Sequence, residues 1–345
     1  MMRVAIVNDL KIATETLRRV VTGDPKHSIA WTASDGAEAI RKCQADRPDI
    51  ILMDLIMPGL DGAQTTKEIM HLSPCPILVV TATVSGNYSL VYDALGFGAF
   101  DAINTPSAKP DGTIEGSKEL LTKLTRVKST LTEQAASFAP LKTPQHSQKT
   151  PGQSNLNYVL LGASTGGPQA ILTILQQMGS LPQASIWIAQ HIGNEFALGL
   201  TEWLTQRVGV SVRIAQPHES FHQPGIFLLP SEPCLYVGAD RRLNASRTTG
   251  EIVHTPDINQ FFSSIAGNGI GPGIAALLTG MGNDGAQGLL ELRQAGWYTL
   301  AQDEATSTVY GMPQAAKQLG AAHQVLPLNL IGSSIRSLIQ NMRTQ

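Results

Sequence analysis

The chain carries little of what marks several whole classes of protein. It has three cysteines in 345 residues, Cys43, Cys75 and Cys234, and no Cys-x-x-Cys. Such an odd, scattered set argues against a disulfide framework and fits a reducing compartment. Formal net charge is only -2, so bulk charge gives no reason to expect nucleic acid or an anionic membrane as partner. No apolar run approaches the ~20 residues needed to span a bilayer. The opening MMRVAIVNDL has too short an apolar stretch for a secretory leader and no small-residue cleavage site. These absences together predict a soluble, cytoplasmic protein with no direct membrane insertion.

What is present is ordinary core-forming material. Hydrophobic residues make up 42% of the chain, and its length suits two domains. Residues 4–7, 28–33, 49–54, 76–81 and 100–104 read as short apolar strands, with helical patterns such as 37–46 between them. That alternation predicts a parallel sheet with helices on both faces. A helical pattern over 117–136 precedes SFAPLKTPQHSQKTPGQSNLN, whose Pro, Ser, Gln and Lys content reads as a flexible linker. Strands at 158–164, 185–191, 225–230, 274–280 and 298–303 then alternate with helices at 169–178, 195–207, 258–266, 286–295 and 313–319. The expected organisation is a domain over 1–116, a helix and linker over 117–156, and a second α/β domain over 157–345.

In parallel sheets, ligands bind at the carboxyl ends of the strands. In the first domain Asp9, Asp54 and Thr81-Ala82 all fall there. Paired carboxylates can hold Mg²⁺, the Asp54 carboxylate can attack phosphorus, and the Thr81 hydroxyl can bond the new phosphate. The run DLIMPGLDG (54–62), with Thr81-Ala82 downstream, resembles a response-regulator receiver over residues 3–105. The resemblance implies a flavodoxin-like five-stranded sheet, phosphorylation at Asp54 and a metal site at Asp9 and Asp54. Two positions depart from it: Asn8 replaces an acid and Thr105 replaces a lysine before Pro106. The first weakens Mg²⁺ binding, and the second removes a charge-assisted contact to the phosphate.

In the second domain, an apolar strand runs into Gly-Ala-Ser164-Thr165-Gly166-Gly-Pro and then a helix. A serine at such a turn projects its hydroxyl from the sheet edge, and the helix N-terminus favours a developing anion. The next strand ends in His191, and a later one leads to Met281-Gly-Asn-Asp284-Gly. A nucleophile, a base and an orienting carboxylate on three strand ends point to acyl-transfer chemistry. GASTGGP (162–168), QH (190–191), LTGMGNDGA (278–286) and AQDEATSTVYGMPQAA (301–316) closely resemble the CheB family of protein-glutamate methylesterases.

The resemblance implies a Rossmann-like doubly wound catalytic domain and a Ser164–His191–Asp284 triad. It also implies an oxyanion donor in the Met281 backbone N–H, with Thr165 and Gly166 beside it, and no cofactor for the hydrolysis. The implied substrates are γ-glutamyl methyl esters on chemoreceptors, with methanol leaving, and some receptor glutamines for deamidation. The implied phosphodonor is a CheA-type histidine kinase. Control would come from a receiver that blocks the esterase edge until it is phosphorylated, with coupling weakened by Thr105. Asn8-Asp9, Thr105-Pro106 and MDLIMP (53–58) resemble the Wsp-type surface-sensing subgroup, whereas LLPSEPC (228–234) departs from relatives in a loop near the substrate.

Other readings compete. His218-Glu-Ser-Phe-His222 spells the zinc-protease pattern, but Pro217 and Pro224 bracket it and break the helix that the pattern needs. Gly280-x-Gly-x-x-Gly285, with Asp303 ending the next strand, would suit a nicotinamide-dependent oxidoreductase. A non-catalytic receptor-docking module, with Ser164 only capping its helix, is the third alternative.

Overall fold

The computed structural model describes residues 1–81, 88–109, 112–133, 156–245 and 255–342, and the chain divides into two units, Met1–Phe138 and Ala139–Gln345. Ala82 and most of the expected linker lie outside the described residues.

The first unit runs β1 (Met2–Val7), α1 (Lys11–Gly23), β2 (His27–Ala33), α2 (Gly36–Ala45), β3 (Ile50–Met53), α3 (Gly62–Leu72), β4 (Ile77–Thr81), α4 (Tyr88–Gly96) and β5 (Asp101–Asn104). A small antiparallel hairpin of β6 (Ser107–Ala108) and β7 (Ile114–Glu115) leads into α5 (Ser117–Glu133). The five long strands are parallel, in the order β2-β1-β3-β4-β5. Strand order reverses between β1 and β3, so the residues that follow these two strands face one crevice. Side-chain oxygens start two helices: Asp35 accepts from Glu38 N and Asp61 from Gln64 N.

Helix α5, grouped with the linker on sequence grounds, packs with the first unit. Leu120 and Leu124 are buried in the same core as Val4, Ile6, Leu52 and Leu78. Lys123 also reaches Asp101 at 2.5 Å. The structural edge of this unit therefore lies beyond residue 116, because an amphipathic helix finds its apolar partner on the sheet rather than in solvent.

The second unit runs β8 (Asn157–Ala163), α6 (Gly167–Met178), β9 (Ala184–Gln190), α7 (Asn194–Val208), β10 (Val212–Ile214), β11 (Gly225–Leu228), β12 (Leu235–Val237), β13 (Leu243–Ala245), α8 (Ile258–Gly267), β14 (Ile274–Leu277), α9 (Ala286–Gln294), β15 (Tyr298–Gln302), α10 (Met312–Gln318), β16 (Gln324–Leu326) and α11 (Leu328–Met342). Seven parallel strands take the order β10-β11-β9-β8-β14-β15-β16. The central β8, with β9 on one side and β14 on the other, is buried along nearly its whole length. That is the behaviour of a strand covered on both faces, and it explains the unbroken apolar run.

The edge strands β10 and β16, the β12–β13 hairpin and α11 were not expected from the sequence. β10 is three residues long with exposed Arg213 at its centre, so no apolar alternation marks it. In α11, Gly332 interrupts a helical pattern because a Cβ there would stand 2.6 Å from Ile174 O and Gln177 Cβ. The glycine serves close packing against α6.

Truncating Leu120 to alanine should destabilise the first unit by about 2–5 kcal/mol, the usual cost of emptying a buried leucine site. Denaturant unfolding checks this; a loss indistinguishable from zero would return α5 to the linker.

Candidate active site

Two strand-end constellations emerge, one in each unit. In the second, β8 ends at Ala163 and pairs there with Gln190 of β9. Ser164 and His191 are the next positions in the same register. His191 N still bonds Ala163 O at 3.0 Å, and Ser164 N bonds Thr279 O at 3.0 Å beyond the end of β14. Neighbouring strands lie about 4.8 Å apart, so the Ser164 and His191 backbones stand side by side at roughly that spacing.

Asp284 arrives from the loop after β14. Its Oδ2 lies 2.8 Å from His191 Nε2. The same carboxylate accepts Ile258 N at 2.9 Å, Asn259 N at 2.9 Å and Gly285 N at 2.8 Å. It is therefore saturated, and both its residue and the imidazole are largely buried. Burial pushes the carboxyl upward, but the hydrogen bond and charge of His191 and the N–H groups of Ile258 and Asn259 outweigh this. The net position is below the usual aspartate value. An ionised carboxylate only accepts, so Nε2 carries a proton, and the imidazole in its neutral form keeps its lone pair on Nδ1.

The remaining expected residues gather here. Gly166 takes φ +78° as the residue before α6, and a Cβ on it would stand 2.6 Å from Thr308 Cβ. A Cβ on Gly280 would come within 2.7 Å of Ser164 Cβ, which puts the backbone leading into Met281 against the serine. Thr165 O accepts Thr279 Oγ1 at 2.9 Å, and Thr279 Oγ1 also accepts Val309 N at 3.0 Å. Gln302 joins this scaffold by accepting Thr279 N at 2.9 Å and donating to Thr306 O at 2.7 Å. Sequence reasoning missed Thr279, Gln302, Ile258 and Asn259. Asp257-Ile258-Asn259 was visible as a helix start, yet nothing in the chain tells which carboxylate that start would meet.

In the first unit, Asp54 is buried and its Oδ1 accepts Leu55 N at 2.7 Å. Burial pushes its carboxyl up, backbone N–H groups pull it down, the negative charge of Asp9 pushes it up again, and the net is upward. Two crowded acids of this kind suit a divalent cation. Thr81 Oγ1 is buried and has no hydrogen-bond partner among the described residues, so a donor stands ready for an incoming oxygen. Asn8 Oδ1 is engaged with Leu10 N at 2.8 Å, stabilising the turn rather than adding an acid.

The decoy motifs disperse. His218 sits in a turn at φ +67°, Glu219 pairs with Arg213 at 2.5 Å, and His222 Nδ1 bonds the Tyr158 hydroxyl. No group of three or more metal-binding side chains occurs among the described residues. Within the Gly280–Gly285 run, Asp284 is committed to His191 and the α8 N-terminus.

The match of residues 159–335 to the CheB methylesterase model, beside a match of 4–113 to the response regulator receiver domain, decides the assignment. The chain belongs to the CheB methylesterase family. It is 41% identical over 99% of both chains to a Burkholderia pseudomallei protein named protein-glutamate methylesterase/protein-glutamine glutaminase 2. A Pseudomonas aeruginosa protein named protein-glutamate methylesterase/protein-glutamine glutaminase 3 is 38% identical over 96% of this chain and 97% of its own. The crystal structure of the Thermotoga maritima CheB methylesterase catalytic domain covers 54% of this CheB chain and 100% of its own, at 27% identity and a TM-score of 0.48. No helix among the described residues is long and apolar enough to cross a membrane.

Two outcomes follow for stability. The folded-state carboxyl of Asp284 is held low, so its pairing stabilises the fold above the ordinary carboxylate range and is lost as pH falls through the lower folded value. In urea unfolding from about pH 6 to about pH 3, the advantage of wild type over Asp284→Asn should shrink with acid; an advantage that grows would contradict the pairing. Asp54 has the opposite sign: its ionised form is disfavoured by folding, and stability falls as pH rises through its raised value. Asp54→Asn should therefore raise the thermal midpoint of the first unit at neutral pH without Mg²⁺, and a lowered midpoint would refute this.

Proposed function

We propose that this CheB-family chain is a cytoplasmic protein-glutamate methylesterase that removes methyl groups from γ-glutamyl esters of a chemoreceptor and also deamidates receptor glutamines. The observation that carries the reading is the buried Asp284–His191 pair, with His191 following the strand that pairs with the Ser164 strand. It is supported by the relatives' names, protein-glutamate methylesterase/protein-glutamine glutaminase.

In the proposed reaction His191 Nδ1 takes the Ser164 hydroxyl proton while Asp284 steadies the imidazolium through Nε2–H. The serine oxygen attacks the ester carbonyl, and the Met281 N–H faces the developing oxyanion, flanked by Thr165 and Gly166. The imidazolium returns its proton to the departing methoxide and methanol leaves. Water, deprotonated by the same imidazole, then releases the glutamate and restores Ser164. No step needs a cofactor.

In the receiver, Asp9 and Asp54 would hold Mg²⁺, which neutralises charge on the incoming phosphoryl group. Asp54 accepts that group from a CheA-type histidine kinase, and Thr81 Oγ1 donates to it. With Asn8 in place of an acid, metal binding is weaker than in a receiver with three carboxylates. Phosphorylation raises esterase turnover, with coupling reduced by the neutral Thr105. Asn8-Asp9, Thr105-Pro106 and the Met53–Pro58 run support a Wsp-type chain. The burial of α5 and the start of β8 support moving the expected domain limits of 1–116 and 157–345 to 1–133 and 156–345, with a connecting linker.

Methanol release from methylated receptor membranes tests the reading. Ser164→Ala should lose at least roughly a thousandfold in rate with its fold intact. Beryllofluoride with Mg²⁺ should stimulate wild type and leave Asp54→Ala unchanged. Methanol release by Ser164→Ala at the wild-type rate would end the hydrolytic assignment.

A further inference from the structure

Gln190 immediately precedes the base, and its side chain lies in the interior rather than over the reaction centre. The residue is 2% exposed. Its Nε2 donates to Ser164 O at 2.8 Å and to His191 O at 2.9 Å. One amide group thus spans the backbones of both residues whose side chains must exchange a proton. Its orientation is chemically determined: turned over, the amide oxygen would face two carbonyl oxygens. Held this way, Gln190 Oε1 is buried without a partner among the described residues. Leaving an acceptor unsatisfied is costly, so the double donation is retained at the expense of the third possible bond.

The neighbouring sequence is adapted to this amide. Gly167 opens α6, and a Cβ there would collide with Gln190 Oε1 and come within 2.8 Å of Gln190 Cδ and Ala163 Cβ. The second glycine of Ser164-Thr-Gly-Gly is therefore needed for the space that Gln190 fills, not for a left-handed backbone. Gly167 N itself bonds Ser164 O at 2.8 Å, so that carbonyl accepts from the helix and from Gln190 at once.

We infer that Gln190 is a positioning residue, a bracket whose two donated hydrogen bonds fix the Ser164 and His191 backbones in register for proton transfer. The inference rests on the proposed Ser164–His191–Asp284 reading. Without the bracket, the Ser164 and His191 carbonyls share no common donor, and displacements of about 1 Å cost proton transfer heavily.

The test uses full-length protein and methylated receptor membranes, with Gln190→Met (similar length, no donor), Gln190→Glu and Ser164→Ala. Gln190→Met should lower kcat roughly 10- to 100-fold with KM within about twofold, and fluorophosphonate labelling of Ser164 per folded molecule should slow in parallel. Gln190→Glu can donate one O–H when protonated and none when ionised, so its kcat relative to wild type should fall as pH rises. If Gln190→Met does not fold, this pH-dependent ratio still reads the donor role. Wild-type kcat and labelling in Gln190→Met, with Ser164→Ala inactive, would overturn the bracket alone. A fully active Ser164→Ala would overturn the triad reading and the bracket with it.

Discussion

The catalytic half of this molecule depends on one saturated carboxylate. Asp284 takes two N–H groups from the start of α8, one from its own loop at Gly285 and the imidazole of His191. A buried anion costs several kcal/mol if left alone. Here backbone donors and a helix N-terminus offset that cost, and the fold supplies them before any substrate arrives. The geometry requires α8, β14 and β9 to be in place together. The acid is therefore assembled only when the sheet is complete, and the imidazole tautomer follows from it.

The two units apply the same placement rule to opposite chemical ends. Each is a parallel sheet whose polar residues cluster where strand order reverses. In the second unit the carboxylate is quenched by donors and lies below its ordinary range. In the first, burial and then the charge of Asp9 raise Asp54 against the pull of the Leu55 and Ile56 N–H groups. In the proposed reading a quenched carboxylate orients a base, and a raised one takes a cation and a phosphoryl group, a stability cost typical of functional sites.

Much of this was legible in the sequence because it depends on strand ends. Ala163, Gln190 and Leu277 close apolar runs, so the residues after them had to meet at one edge. Asp9, Asp54 and Thr81 were readable for the same reason. What escaped was whatever depends on tertiary contact between segments distant in the chain. Ile258 and Asn259 reach Asp284 only after folding. Gln190 looked like the last residue of a strand, and its amide gains a role only once Ser164 turns beside it. Helix α5 was readable as a helix before the linker, but the burial of Leu120 and Leu124 on the sheet depends on contacts far along the chain. Edge strands β10 and β16 are too short and too exposed to carry a period of their own.

The relay through His191 is tested most directly by observing its ring protons. Proton and nitrogen NMR of enzyme labelled at histidine should show a low-field Nε2–H resonance at neutral pH. That resonance should persist in Ser164→Ala and disappear in Asp284→Ala. A His191 ring that carries its proton on Nδ1, or an Nε2–H signal unchanged by loss of the Asp284 carboxylate, would contradict the account.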